Sequence, residues 1–383
     1  MGRFLVVVPP LTGHVNPTVA VGHALASRGH EVAWVGYPTA IGRLLPSGAT
    51  LLPLDETPLA QAGEVRARAD SARGLLAFKQ LWEDFFVPLA RWMRPGVDAA
   101  AERYRPDVMW VDQQAFAGAL VARQRELTWA TSATTSARLA DSLIELPKVQ
   151  TWVEGQWAAL EREAGLPAVP EPDLSPRRVI LFSTEALAGT GRFPPQTAFV
   201  GPALEGREDA TPFAFESMGA RPRLLVSLGT VNSERGAPLY RVLREALGGQ
   251  AVHVIVAAPP EQVGQAVANF QVQPRIPQLR VLPHVDAVLC HGGHNTVCEA
   301  LAYGLPLVVM PIRDDQPVIA EQVVKAGVGL RLRFGRTRPD ELRAAVNRVL
   351  TEPSFRAAAA RVQDSFRAAG GARAAADALE ALL

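Results

Sequence analysis

Residues 287–299 have the sequence Ala-Val-Leu-Cys-His-Gly-Gly-His-Asn-Thr-Val-Cys-Glu, an apolar run followed by a glycine pair and a polar segment. The run from Ala287 to Cys290 predicts a buried strand, and the residues after Gly293 predict a helix. Glycines at such a turn let the backbone approach a ligand closely, and the helix start presents unpaired N–H groups and the positive end of its dipole. The stretch therefore predicts one strand–turn–helix unit of an α/β fold, with a phosphate site at the turn.

The same turn also has a plainer interpretation. Thr296 and Glu299 have the spacing of a capping box, in which two side chains satisfy the first N–H groups of a helix. The glycine pair would then belong to an ordinary capped turn that binds nothing.

Apolar runs alternate with helical patterns on both sides of this stretch. In the trailing half, strands are predicted at residues 224–227, 252–256, 287–290 and 307–310. In the leading half, they are predicted at residues 3–8, 31–36, 108–111, 128–131 and 179–182. The alternation indicates a parallel sheet in each half.

The length of 383 residues exceeds the size at which one hydrophobic core is expected, so two domains are predicted. Residues 201–222 are rich in Pro, Gly and charge without a sustained period, which is typical of an interdomain connection. The helical, Ala-rich tail could cross back onto the first domain. We predict an N-terminal domain, a linker, a C-terminal domain and a C-terminal helix at residues 1–205, 206–222, 223–365 and 366–383.

Bulk properties restrict the partners of the protein. The formal net charge is +1, which predicts no attraction to nucleic acid. The apolar run at residues 4–8 is too short for a signal peptide and no stretch has membrane-spanning length, so we expect a cytoplasmic protein without integral membrane association. Cys290 and Cys298 lack the spacing of a metal site and are expected to be apolar fillers. A homodimer is left open.

Further motifs surround the glycine pair. They are Arg-Ile-Pro-Gln at 275–278, His284, Gly-Leu-Pro at 304–306, Met-Pro at 310–311, Asp-Gln at 315–316 and, upstream, Ser-Leu-Gly-Thr at 227–230. Together with residues 291–299 they resemble the nucleotide-sugar signature of the family 1 glycosyltransferases, and the resemblance extends over nearly the whole chain. It implies the GT-B fold, in which two Rossmann-like domains with parallel sheets face each other and a C-terminal helix returns to the N-terminal domain.

The resemblance also implies donor-binding residues. It assigns the diphosphate to His291, Gly293, Asn295 and Thr296, the ribose hydroxyls to Glu299, and the sugar hydroxyls to Asp315 and Gln316. The other implied donor contacts are Ser227, Thr230, Arg275, Ile276, Gln278 and Gly292.

Two features of the donor half leave questions open. Where plant members have a Trp against the nucleobase, this chain has Arg275, so a choice between uracil and thymine does not follow from the sequence. The adjacent Asp314 and Asp315 could in principle hold a divalent cation. Because the helix start already supplies positive potential, we expect neither a metal nor any cofactor beyond the UDP- or dTDP-sugar co-substrate.

Transfer of a sugar to a hydroxyl needs a base, and imidazole is suited to that task near neutral pH. His14 lies in the loop predicted at residues 9–16, between the first predicted strand and a helix predicted at residues 17–27. Gly-His-Val-Asn-Pro at 13–17 resembles the family's motif for the catalytic histidine. Asp112 ends another predicted strand and matches the family position of the aspartate that steadies this histidine. The alternatives are a histidine bonded to local backbone, and an aspartate that caps the helix expected near Ala115.

The acceptor site is expected in the first domain. Aromatic residues cluster there, and Trp82, Phe85 and Phe86 together with Thr134 are the predicted acceptor contacts. The alternative is that aromatics at helical spacing form core. The cluster favours an apolar aglycone.

These features predict an inverting glycosyltransferase that moves a hexose or deoxyhexose from a UDP- or dTDP-sugar to a hydroxyl of a lipophilic secondary metabolite, such as a polyketide, macrolide or enediyne-like aglycone. A carotenoid glucosyltransferase of the zeaxanthin type is the alternative acceptor class, since residues 111–113, 117–122 and 369–379 resemble those enzymes. A nonhydrolysing nucleotide-sugar epimerase and a noncatalytic partner protein are alternatives from other classes.

Overall fold

A computed structural model describes residues 1–57, 74–139, 146–191, 193–207, 209–220, 222–229 and 236–383. The chain divides into two compact units. The first contains residues 1–182, 191–207 and 369–383, and the second contains residues 183–190 and 208–368. Residues 183–190, predicted within the first domain, therefore group with the second unit.

The first unit is built on a seven-stranded sheet in which every pairing is parallel. Its strands are β1 Arg3–Val7, β2 Glu31–Gly36, β3 Thr50–Pro53, β4 Val108–Asp112, β5 Trp129–Ala133, β6 Val179–Leu181 and β7 Thr197–Phe199. Their order across the sheet is β3-β2-β1-β4-β5-β6-β7. Its helices are Thr12–Ser27, Pro38–Ile41, Gly42–Leu44 (3-10), Gly74–Leu81, Trp82–Phe86 (π), Val87–Tyr104, Phe116–Gln124, Pro147–Glu163 and Gly371–Glu380.

Both faces of this sheet are buried, which explains why its central strands are continuous apolar runs. Leu5 and Val7 face one core, whereas Phe4 and Val6 face the other. The strand order reverses between β1 and β4, where Val7 pairs with Val111. The carboxyl ends of strands at such a reversal form the crevice in which open α/β sheets bind ligands.

The second unit contains a six-stranded parallel sheet in the order β10-β9-β8-β11-β12-β13, with a reversal between β8 and β11. Its strands are β8 Arg223–Ser227, β9 His253–Ala257, β10 Phe270–Gln273, β11 Ala287–Cys290, β12 Leu307–Val309 and β13 Gly329–Arg331. Its helices are Glu185–Ala188, Phe215–Ser217 (3-10), Ala237–Leu247, Pro260–Val263, Gln278–Val281, Leu282–His284 (3-10), His294–Ala302, Gln316–Lys325, Pro339–Thr351 and Pro353–Ala369. The predicted α/β class with two parallel sheets is confirmed.

The last helix, Gly371–Glu380, packs against Thr12–Ser27 within the first unit. Gly370 and Gly371 both have positive φ angles, 88° and 58°, and this conformation turns the chain after the preceding helix. The Arg28 guanidinium donates to Asp377 at 2.7 Å, and His30 Nε2 lies 2.7 Å from a Glu380 carboxylate oxygen. The buried side chains of the helix join the core of the first unit.

Candidate active site

His14 lies in the first turn of the helix Thr12–Ser27, directly after β1. The hydrophobic pattern of the sequence predicted this residue in a loop at residues 9–16 and a helix from Pro17 to Ser27. That boundary is wrong: the helix begins at Thr12, and Pro17 lies inside it. The earlier start fixes the backbone of His14 on a regular element.

Asp112 is the last residue of β4, and the pairing of β1 with β4 places it beside His14. Nδ1 of His14 lies 2.9 and 3.0 Å from the two carboxylate oxygens of Asp112. The Asp112 side chain is fully buried, and the His14 side chain is 15% exposed. A buried carboxylate therefore holds one nitrogen of a partly accessible imidazole.

Two more donors complete the environment of this carboxylate. The Gln114 N–H donates to Asp112 Oδ1 at 2.8 Å, and the Thr134 hydroxyl donates to Oδ2 at 3.2 Å. The N-cap of the helix Phe116–Gln124 is Ala115, without a side-chain cap. Asp112 thus binds the turn before that helix and His14, and the alternative of a helix-capping aspartate is wrong.

In the second unit, His291 follows β11, and its ring lies against Gly229 and Gly293. A Cβ atom on Gly229 would come within 2.7 Å of the His291 ring, and one on Gly293 would overlap it more severely. Gly229 and Gly292 also have positive φ angles of 69° and 84°. The glycines are therefore needed to accommodate the imidazole, in addition to any approach of a ligand.

The His291 side chain is almost entirely buried, and its Nδ1 has no hydrogen-bond partner among the described residues. Burial lowers the pKa of His291 to about 4, against the opposing effect of nearby Asp315. The ring is neutral at physiological pH. It therefore offers a hydrogen-bonding group without a positive charge.

This lowered pKa predicts an acid sensitivity. Because the folded state keeps His291 neutral while the unfolded chain takes up a proton near pH 6.5, the contribution of this group to the free energy of unfolding is constant above that pH and falls between pH 6.5 and about 4. The largest loss from this group is about 3 kcal/mol. Thermal unfolding of the wild type and His291→Gln across this range measures it; equal pH slopes in the two proteins would contradict the prediction.

The helix His294–Ala302 starts immediately after Gly293, which is its N-cap and makes no side-chain cap. Asn295 and Thr296 lie in its first turn and are half-buried. Thr296 is inside the helix, so the alternative of a capping box at Thr296 and Glu299 is wrong. The Glu299 carboxylate instead accepts a hydrogen bond from the Gln278 amide.

Three other predicted donor residues, Ser227, Arg275 and Ile276, lie in the described part of the second unit. Ser227 ends β8 and is buried, whereas Arg275 is exposed and Ile276 is half-buried. Thr230 lies outside the described residues. These positions stay predictions of donor contacts.

Gln316 starts a helix directly after the half-buried Asp315, and the Gln316 side chain is buried. Its Oε1 accepts the N–H groups of Ile312 and Arg313 at 2.9 and 3.1 Å. The amide oxygen thus holds the loop after β12, and the NH₂ group is the part of Gln316 with hydrogen-bonding capacity for a ligand.

Over the ranges that the structure describes, no three His, Cys, Asp or Glu side chains form a group that could hold a metal ion.

The predicted acceptor contacts divide into two groups. Trp82, Phe85 and Phe86 are at most 7% exposed and belong to a core cluster that includes Phe116 and Trp157. The structure therefore places these three rings in the core. The sequence alone does not distinguish the two roles, because a core position and a ligand wall require the same helical spacing. Thr134 instead contacts His14 and Asp112.

Two aromatic rings at the margin of this cluster were not predicted. Phe78 and Trp152 are half-buried, with ring centroids 6.4 Å apart, and both pack against Trp82. Their partial exposure distinguishes them from the core rings, and this property has no signal in the sequence.

None of the helices in the described part of the chain combines the length and the apolar character needed to cross a membrane.

Comparison with known proteins bears on this arrangement. Residues 243–382 match the family model of the erythromycin biosynthesis protein CIII-like C-terminal domain. The chain is 29% identical to 4'-demethylrebeccamycin synthase of Lentzea aerocolonigenes, over 100% of this chain and 99% of that protein. Its structure superposes on a calicheamicin glycosyltransferase with a TM-score of 0.81 and 26% identity, over 100% and 98% of the two chains. The chain is therefore similar to GT-B glycosyltransferases over its whole length.

A carotenoid enzyme is also similar to this chain, in agreement with the second resemblance found in the sequence. The zeaxanthin glucosyltransferase of Pantoea ananas is 25% identical to it, over 100% of this chain and 96% of that protein. The predicted family resemblance, to natural-product glycosyltransferases and to zeaxanthin glucosyltransferases, is confirmed.

Proposed function

We propose that this protein is an inverting glycosyltransferase that moves a hexose or deoxyhexose from a UDP- or dTDP-sugar to a hydroxyl of a lipophilic secondary metabolite. The observation that carries the proposal is the contact of His14 Nδ1 with both oxygens of the buried Asp112 carboxylate. It lies at the sheet reversal between β1 and β4, where ligands are expected.

The contact defines how the base would work. An imidazole that donates Nδ1–H to a carboxylate carries its basic lone pair on Nε2. Nε2 accepts the proton of the acceptor hydroxyl while the hydroxyl oxygen bonds to the anomeric carbon and the bond from that carbon to the diphosphate oxygen breaks. The nucleoside diphosphate leaves with the bonding electron pair. Asp112 stabilises the imidazolium that forms, and attack opposite the leaving group inverts the anomeric centre.

The donor would be held by the turn after β11. The neutral His291, the first-turn residues Asn295 and Thr296 and the N–H groups at the start of the helix His294–Ala302 offer hydrogen bonds to the diphosphate. The adjacent Gln278 and Glu299 side chains are suited to the two ribose hydroxyls. Asp315 and the NH₂ group of Gln316 would bind the sugar, and the reaction as proposed uses no metal.

The acceptor class rests on the relatives and on the first unit. The names of the relatives refer to demethylrebeccamycin and calicheamicin, and the name of the matched domain refers to erythromycin biosynthesis. In this chain the half-buried Phe78 and Trp152 offer apolar ring surface to an aglycone. A carotenoid is the second acceptor class, because the chain also aligns with zeaxanthin glucosyltransferase over its full length. We place the reaction in the cytoplasm.

The test is a mass-spectrometric screen of UDP-glucose, dTDP-glucose and dTDP-rhamnose against macrolide, indolocarbazole, enediyne-type and carotenoid acceptors. The expected product is an acceptor whose mass increases by one sugar, with the opposite anomeric configuration to the donor by NMR. Reactions without acceptor control for an epimerase, which would change the sugar of the donor itself. Donor binding without transfer to any acceptor would instead favour a noncatalytic partner protein.

A further inference from the structure

Thr134 makes a third contact in the His14–Asp112 pair. It directly follows β5, which pairs with β4 so that Ser132 lies opposite Asp112. Its Oγ1 is 2.7 Å from His14 Nδ1 and 3.2 Å from Asp112 Oδ2. The residue is only 4% exposed, so bulk water does not compete for these hydrogen bonds.

We propose that Thr134 is a positioning residue that selects the Nδ1–H tautomer of His14 and is not a contact of the acceptor. This inference rests on the proposed role of His14 as the base. It replaces the acceptor-binding role that the sequence predicted for Thr134.

The hydrogen-bonding capacity of the three groups supports this assignment. The Thr134 hydroxyl has one hydrogen, and Asp112, as a carboxylate, can only accept. When the hydroxyl donates to Asp112, its lone pairs face His14 Nδ1, which must then carry a hydrogen. In the other tautomer a lone pair on Nδ1 would face both carboxylate oxygens at 2.9 and 3.0 Å, which is repulsive. Thr134 and Asp112 therefore favour the same tautomer, the one whose Nε2 is basic.

The geometry of the residue makes it effective in this role. Threonine is β-branched, so its side-chain torsion is restricted, and the end of β5 fixes its backbone. Among the described residues, Asp112 Oδ2 is contacted by the Thr134 hydroxyl and by His14 Nδ1 at 3.0 Å, whereas Oδ1 also accepts the Gln114 N–H. Loss of the hydroxyl thus leaves the orientation of both the carboxylate and the ring less defined.

The test compares Thr134→Val, which keeps the shape and removes the hydroxyl, with Thr134→Ser, which keeps the hydroxyl. We expect Thr134→Val to lower kcat about 10-fold with both KM values within about 2-fold of wild type, and Thr134→Ser to restore most of kcat. Thr131→Val is the matched control: Thr131 lies in β5 and is buried, but its hydroxyl bonds to the backbone of Asp173 and Ser175. It should lower thermal stability and keep kcat.

A second readout does not depend on turnover. Two-dimensional ¹⁵N NMR of histidine-labelled protein, with His14 assigned from the spectrum of His14→Gln, reports which ring nitrogen carries hydrogen. The wild type and Thr134→Ser should show the Nδ1–H form alone. Thr134→Val should show a measurable minor fraction of the Nε2–H form, because Asp112 still favours Nδ1–H but is held less firmly in its orientation. An unchanged His14 spectrum together with unchanged kcat in Thr134→Val would overturn the inference. An Nδ1–H signal that depends on Thr134, in a protein that transfers no sugar, would contradict the proposed function and leave the positioning role standing.

Discussion

Replacement of His14 by alanine is expected to lower kcat by about 10²- to 10⁴-fold, the usual contribution of a positioned general base. The loss follows because the other two side chains of this contact cannot replace the imidazole: Thr134 is an alcohol, and the Asp112 carboxylate is fully buried and does not reach a substrate hydroxyl. Steady-state kinetics with a donor and acceptor pair found in the screen measures it. Calorimetry should show donor affinity within a few-fold of wild type, since the predicted donor residues belong to the second unit.

His23→Ala is the matched control for this substitution. His23 is an exposed histidine on the same helix, Thr12–Ser27, so its loss tests the effect of removing an imidazole from that helix without touching Asp112. Its turnover should equal that of wild type. Near-normal turnover in His14→Ala, with an unchanged thermal unfolding curve, would remove His14 from the mechanism.

Gly293→Ala is expected to weaken donor binding by at least about 30-fold, which corresponds to about 2 kcal/mol of the kind lost when a packed site is overfilled. The added methyl group would occupy the position of the His291 ring, and the ring is too buried to move aside without displacing its neighbours. His291 and the start of the helix His294–Ala302 would both shift. Titration calorimetry with UDP and dTDP measures the loss directly, without a need for the acceptor.

The control for the glycine substitution is Gly155→Ala. Gly155 lies within the helix Pro147–Glu163 of the first unit, and a Cβ there meets nothing within 4 Å. Alanine should be neutral or slightly stabilising at that position, because it favours a helix more than glycine does. Donor affinity that is unchanged in Gly293→Ala would show that the turn after β11 is not the diphosphate site.

The strands that the sequence did not predict share one property. They are β3, β7, β10 and β13, and each forms an edge of its sheet. Edge strands lack a neighbour on one side and are less buried, so their sequences carry no continuous apolar run; Phe270–Gln273, for example, alternates with glutamine. Hydrophobic patterning therefore predicts the buried central strands of a parallel sheet and does not predict its edge strands.

The candidate site shows a similar division. Short motifs and their family resemblance predicted His14, Asp112 and the turn at residues 291–299, each of which follows a predicted strand. The role of Thr134 depends on a contact between side chains 120 positions apart, which no local pattern records. The grouping of residues 183–190 with the second unit was likewise not predicted from the sequence, since periodicity identifies an element but not the core that it joins.

The helix Gly371–Glu380 has a consequence for biosynthesis. Domains usually fold in the order in which they leave the ribosome. Here Ala372, Ala375, Ala376 and Leu379 belong to a core whose other members begin at Phe4. The nascent first unit must therefore wait, with one face of its sheet incompletely covered, until the whole second unit has been translated. The half of the molecule that is made first is the half that is finished last.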